Sequence, residues 1–215
     1  MLDVNIYRQH WQHPLFVQWQ TVVEQAAHPH VNYSSGMGVG IFHLRGKVNQ
    51  PDFLQAVESV LGVALPQKAK QSVYSEQAAV FWLSPDEWML VCALEHKHVL
   101  FHALQDALKG VFAQLVDNSG GFMMMRIHGQ EASTVLRHLM PYDVLSLQTT
   151  QCVHTVFKRS TVVLSKVADD DYVVVFRRSF ADYVWRILQK AAKPYGYTVQ
   201  KSWQFAHSDW QRYTA

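Results

Sequence analysis

Several features that would identify a function directly are scarce or missing in this chain of 215 residues. It has two cysteines, Cys92 and Cys152, and no CxxC pair, so neither a disulfide framework nor a thiolate metal site is indicated. Both fall in strand-like segments and are expected as reduced, buried thiols acting as small core hydrophobes. Charged residues make up 17% of the chain, with a net charge of +2 and no Lys/Arg block. Nucleic acid and anionic membranes are therefore not expected partners. No apolar run approaches the ~20 residues that span a bilayer. Residues 1–20 lack the basic start and apolar core of a signal peptide, which makes the cytoplasm the expected location. GxGxxG, GxSxG and the P-loop are all absent.

The hydrophobic content is 49% and the aromatic content 13%, a globular composition. Residues 1–37 read as an N-terminal extension. Leu15, Trp19, Val22, Val23 and Ala26 mark a short amphipathic helix within it. His28-Pro29-His30 and the run from Ser34 to Gly38 read as connector. Residues 38–204 form the main body, and 205–215 a polar tail. A strand at Gly40–Lys47 leads to a helix opened by Pro51, with Phe53, Leu54, Val57, Val60 and Leu61 inside and Gly62 as its cap. Strands at Ala79–Leu83 and Glu87–Ala93 flank a Ser84-Pro85-Asp86 turn. A helix around Leu100, Leu104 and Leu108 and a strand at Gln114–Asp117 follow.

The order then repeats. Phe122–His128 is a strand and Ala132–Leu139 a helix. Cys152–Lys158, Thr161–Val167 and Tyr172–Phe176 are strands, and Phe180, Val184, Ile187, Leu188 and Ala191 share one helical face. Ser179, three residues before Asp182, has the spacing of a capping box. Tyr197–Trp203 is the expected last strand. Trp88-Met89-Leu90-Val91 falls on Tyr172-Val173-Val174-Val175 after a shift of 84 residues, and Leu104 then falls on Leu188. The fold expected is α+β, with two tandem ferredoxin-like (split βαβ) halves, 38–117 and 121–204.

Candidate chemistry is sparse. His96, His98 and His102 have helical spacing for two imidazoles on one face, but no HExxH accompanies them, and a solvated set is the expectation. Asn118-Ser119-Gly120-Gly121 is followed by a strand rather than a helix, so it reads as a turn between halves and not as a phosphate cradle. Met123, Met124 and Met125 are consecutive in a strand, cannot point to one ligand, and imply burial on both faces. Trp82 and Trp88 bracket the Ser-Pro-Asp turn; they either stack a ring or anchor a partner, or they fill the junction of the halves. Arg177 and Arg178 precede the last helix. They either bind a carboxylate, phosphate or partner acid, or pair with Asp182 or the Asp169–Asp171 run.

Four segments carry a family resemblance. They are His43-Leu44-Arg45-Gly46, Phe53 to Pro66 with its Leu61-Gly62-Val63-Ala64-Leu65-Pro66 ending, Phe81-Trp82-Leu83-Ser84-Pro85-Asp86-Glu87-Trp88 with Met89-Leu90-Val91, and Val116-Asp117 through Ile127-His128-Gly129 to Tyr142-Asp143-Val144. With a fifth, Tyr172 to Trp185 and its Arg178-Ser179-Phe180-Ala181-Asp182-Tyr183, they resemble the gamma subunit of heterotetrameric sarcosine oxidase from about residue 40 to residue 190. The resemblance implies a non-catalytic accessory subunit, partnered by alpha, beta and delta subunits. Its complex oxidises sarcosine to glycine, forming hydrogen peroxide and passing a one-carbon unit to folate. Flavins, NAD and zinc are then expected on the partner subunits and no cofactor on this chain. The resemblance also implies a fold similar to the folate-binding aminomethyltransferases, but no motif carries a folate site or a catalytic residue over. Three other readings stay open: the equivalent subunit of an N-methylglutamate dehydrogenase, a free-standing folate module with a pocket between the halves lined by Trp82 or Trp88, and a plain interaction domain.

Overall fold

The structure, a computed structural model, describes residues 14–15, 18–19, 29–200 and 203–204. The first half contains strand β2 (Val39–Arg45), helix α1 (Pro51–Leu61), β3 (Ser72–Tyr74), β4 (Ala79–Ser84), β5 (Glu87–Ala93), helix α2 (Lys97–Ala107) and β6 (Gln114–Asp117). Pro51 opens α1, and Gly62 closes it at φ 71° with its N–H on the Glu58 carbonyl at 2.8 Å, as its position in the sequence predicts. The five strands run β3-β4-β5-β2-β6, every pair antiparallel. Without the edge strand β3, this is the split βαβ order.

The second half contains β7 (Phe122–His128), the short helix α3 (Ala132–Arg137), β8 (Cys152–Phe157), β9 (Ser160–Ala168), β10 (Asp171–Arg177), helix α4 (Ala181–Ala192), β11 (Tyr197–Val199) and β12 (Trp203–Gln204). Strands β5 and β10 are both seven residues long and start 84 residues apart, as the repeat predicts. The expected last strand is two short pieces, β11 and β12, with residues 201–202 between them outside the described residues.

The sheet of the second half departs from the sequence expectation. Its order is β11-β1-β7-β10-β9-β8, where β1 is Val31–Met37. The stretch that reads as connector is thus a strand between β11 and β7. It pairs antiparallel with β7 from Asn32↔His128 to Gly36↔Met124, and parallel with β11 and β12. Ser34, Ser35 and Gly36 resemble a turn by composition, yet Ser35 is fully buried and its hydroxyl donates to the Met124 carbonyl. A strand with neighbours on both sides has its backbone satisfied by the ladder, which overrides the local turn preference. Leu15 is also buried in the second half's core, and Trp19 meets Trp185 edge-on at 5.4 Å. Except for residues 15, 18 and 19, the helix predicted around Leu15–Ala26 lies outside the described residues.

The two sheets face each other with helices outside, in the layer order α/β/β/α. Strand alternation builds all of it. In β5, Trp88, Leu90 and Cys92 face helices α1 and α2, while Met89, Val91 and Ala93 face the other sheet. In β10, Tyr172, Val174 and Phe176 join the α3/α4 cluster, while Val173 and Val175 face inward. In β7, Met123 and Met125 take the helix side and Met124 the sheet side, so the methionine run is buried on both faces. Strands covered on both faces read as continuous apolar runs. Each large side chain so buried contributes roughly 1.5–3 kcal/mol.

A charged lip on the seam between the sheets

The inter-sheet seam is apolar along its centre and ends in a charged lip. The lip follows from strand parity. His43 is two residues beyond Ile41 on β2, Glu87 two before Met89 on β5, and Arg177 two beyond Val175 on β10. Each therefore shares its neighbour's inward face, with Glu87 first on β5, Arg177 last on β10 and His43 two residues before the end of β2. Phe122, the first residue of β7, lies directly opposite Arg177 in the ladder.

These side chains touch. The Arg177 guanidinium sits over the Phe122 ring, 5.3 Å from its centroid, a cation–π placement. The His43 ring lies 5.2 Å from the same Phe122. His43 Nδ1 is 3.3 Å from Glu87 Oε1, and His43 Nε2 is buried with no hydrogen-bond partner among the described residues. Burial holds the His43 pKa below the ordinary range; Glu87 opposes this, and Arg177 and His154 add to it. The neutral ring with Nδ1–H donating to Glu87 satisfies these facts together.

Of the pair Arg177 and Arg178, only Arg177 belongs to the ladder. Arg178 starts a 3₁₀ turn, Arg178–Phe180, and is half-buried. That turn corrects the expected capping box: α4 begins at Ala181, Phe180 stands at the cap without a side-chain bond, and Ser179 is exposed. Asp182 instead pairs with Arg186 one turn on, at 2.8 Å. Asp171 pairs with Arg126, and Asp169 with Lys166. Asp170 accepts from the Ser133 hydroxyl, so each acid named as a structural partner of the arginine pair bonds another residue.

Trp82 and Trp88 are cross-strand neighbours in the β4–β5 hairpin, so they share a face. The face is the helix side of the first half, not the junction. Trp88 is fully buried, packs on Phe53 at 5.7 Å, and donates from Nε1 to the Pro66 carbonyl at 2.7 Å. Trp82 is half-buried on the same cluster, and its Nε1 is buried without a partner among the described residues. The space between the halves, where the folate-module reading puts a pocket lined by these rings, is filled by Ile41, Phe81, Met89, Val91, Met124 and Val175. Neither indole lines it, so these residues do not fit a folate there.

The other candidates resolve into structure. Asn118–Gly121 is the turn between halves: Ser119 donates to Asp117 at 2.6 Å and accepts the Ile41 N–H at 3.0 Å. His98 and His102 are exposed on α2, and among the described residues no three His, Cys, Asp or Glu converge to hold a metal ion. Cys92 and Cys152 are free and buried, and burial pushes each thiol up to about 12, far from a reactive thiolate. Among the described residues no helix is long and apolar enough to cross a membrane.

Sequence reasoning selected Arg177 but not His43, Glu87 or Phe122 beside it. Those three are separated in the chain and become neighbours through pairing and strand-end parity alone.

Comparison with known proteins places the chain in a family. Residues 45–194 match the model of the sarcosine oxidase, gamma subunit family. The sarcosine oxidase subunit gamma of an Arthrobacter species is 27% identical over 131 residues, 60% of this chain and 64% of that protein. The match thus spans somewhat under two thirds of that relative's length. A chain of the heterotetrameric sarcosine oxidase from a Corynebacterium species superposes with a TM-score of 0.78 at 22% identity, covering 86% of this chain and 96% of that one. The glycine cleavage system aminomethyltransferase T of Bartonella henselae shares the fold at a TM-score of 0.66 and 14% identity, over 88% of this chain and 58% of that one. The two-halved α+β plan is that of these proteins, and with 150 consecutive residues inside the family model, the chain belongs to the sarcosine oxidase gamma subunit family.

Proposed function

We propose that the protein is a non-catalytic accessory subunit of a cytoplasmic heterotetrameric flavoenzyme that oxidises sarcosine to glycine, with one-carbon transfer to folate and release of hydrogen peroxide. Its partners are alpha, beta and delta subunits, which carry the flavins, NAD and zinc, while this chain carries no cofactor of its own. Family membership over residues 45–194 is the observation that supports the reading most directly. The chemistry of the described residues is in keeping with it. Both thiols are buried and protonated, and the largest aromatic side chains fill cores rather than line a cleft. What the surface offers instead is the charged lip of the seam. The test is to express the tagged full chain in its native host and purify it. A flavoprotein retained in fixed ratio with sarcosine-dependent peroxide formation is expected; a chain that elutes alone refutes the reading.

The aminomethyltransferase fold keeps a second reading in play, a free-standing folate-binding module. Calorimetry of the isolated chain with tetrahydrofolate separates the two: saturable binding favours the module, and none is expected here.

A further inference from the structure

Arg177 is an exposed guanidinium, and no carboxylate lies within ion-pair distance of it among the described residues. The acids on its own and adjoining elements are engaged elsewhere: Glu87 with His43, Asp86 with Arg45, Asp171 with Arg126 and Asp182 with Arg186. The Phe122 ring nevertheless holds it in place. A planar fork fixed on a ring has lost part of its freedom already, so less is lost when it binds.

The internal repeat shows that the scaffold does not need this arginine. Strand β5 aligns with β10 by the 84-residue shift, and the residue matching Arg177 is Ala93, which is 3% exposed. The residue matching Phe180 is His96. Phe180 is 38% exposed, and its turn abuts the Ser119–Gly121 turn that leads into Phe122. Phe180 meets Tyr183 edge-on at 6.3 Å and keeps part of its ring in solvent. An arginine and a partly exposed aromatic on the turn that follows it are residue types that anchor protein interfaces.

We propose that Arg177, held on Phe122 and followed by the turn that carries Phe180, is the receptor for a carboxylate side chain of a partner subunit. The guanidinium fork takes a carboxylate by two parallel N–H···O bonds. Phe180 supplies apolar contact that a small free anion would not use, which favours an acid carried on a protein surface. The proposal rests on the accessory-subunit reading above.

The experiment co-expresses the full chain with the flavoprotein subunits of its native host and measures assembly for wild type, Arg177→Glu, Arg177→Lys and the control Arg186→Glu. Arg177→Glu is expected to weaken assembly at least about tenfold, Arg177→Lys less, and the control little. Because Arg177 is exposed, the isolated variants are expected to melt close to the wild type. Assembly of a folded Arg177→Glu chain within about twofold of wild type overturns the proposal. So does saturable binding of free glutamate to the isolated chain that Arg177→Glu abolishes, because the carboxylate would then belong to a small ligand. A wild-type chain that joins no flavoprotein refutes the accessory reading itself, and this proposal with it.

Discussion

Protonating His43 would place a second ring N–H in a buried position with no acceptor, beside the Arg177 charge. Burial, Arg177 and His154 therefore outweigh Glu87, and the ring stays neutral below its ordinary pKa of 6.5. A base so held takes up its proton more readily unfolded than folded. Its contribution to stability is complete above pH 6.5 and is lost as the pH falls below that value. Wild type is expected to lose more stability than His43→Gln between about pH 7.5 and about pH 5 in urea titrations, and parallel curves would sink this account. Residue identity alone did not reveal the arrangement. His43 is one histidine of twelve. Trp88, conspicuous beside a tight turn, is a fully buried core residue because its strand position faces the helices.

At the scale of elements, Gly129 shows how the second sheet admits an extra strand. It ends β7 at φ 120°, its N–H bonds the Asp170 carbonyl, and an added Cβ would stand 2.5 Å from the His30 carbonyl oxygen. The Glu131 N–H also donates to that carbonyl, so the chain entering β1 is latched onto the β7–α3 turn. Gly129→Ala meets both a backbone conformation disfavoured for alanine and a backbone clash, and is expected to cost about 1–3 kcal/mol in chemical denaturation. A variant within about 0.5 kcal/mol of wild type would show that the latch is dispensable. Most elements were legible because their signals are local: Pro51 and Gly62 frame α1, and the 84-residue shift aligns β5 with β10. The Ser179 cap was misread because the chain leaves β10 through a 3₁₀ turn, which its composition does not distinguish from a helix start.

For the whole molecule, β1 decides where the domain begins. Taken as an extension, residues 1–37 should be removable. In the structure their deletion takes a strand from between β11 and β7, removes the buried Val31 and Tyr33, and opens two sheet edges. Tyr33 is also the centre of an aromatic group, edge-on to Trp185 at 5.3 Å and to Tyr197 at 5.9 Å. A chain lacking residues 1–37 is expected to aggregate, or to lose cooperative unfolding and near-ultraviolet circular dichroism. Recovery of a monomer with a sharp melting transition would contradict the structure. By itself the sequence determined the α+β class, the doubling, most strands and helices, and the family resemblance, since these rest on short-range periodicity and contiguous motifs. Only the tertiary structure decided which face of each fully buried strand meets helix or sheet, because a continuous apolar run carries no period to choose between them. The same long-range pairing placed β1 inside the second sheet and brought His43, Glu87, Phe122 and Arg177 from four strands to one lip.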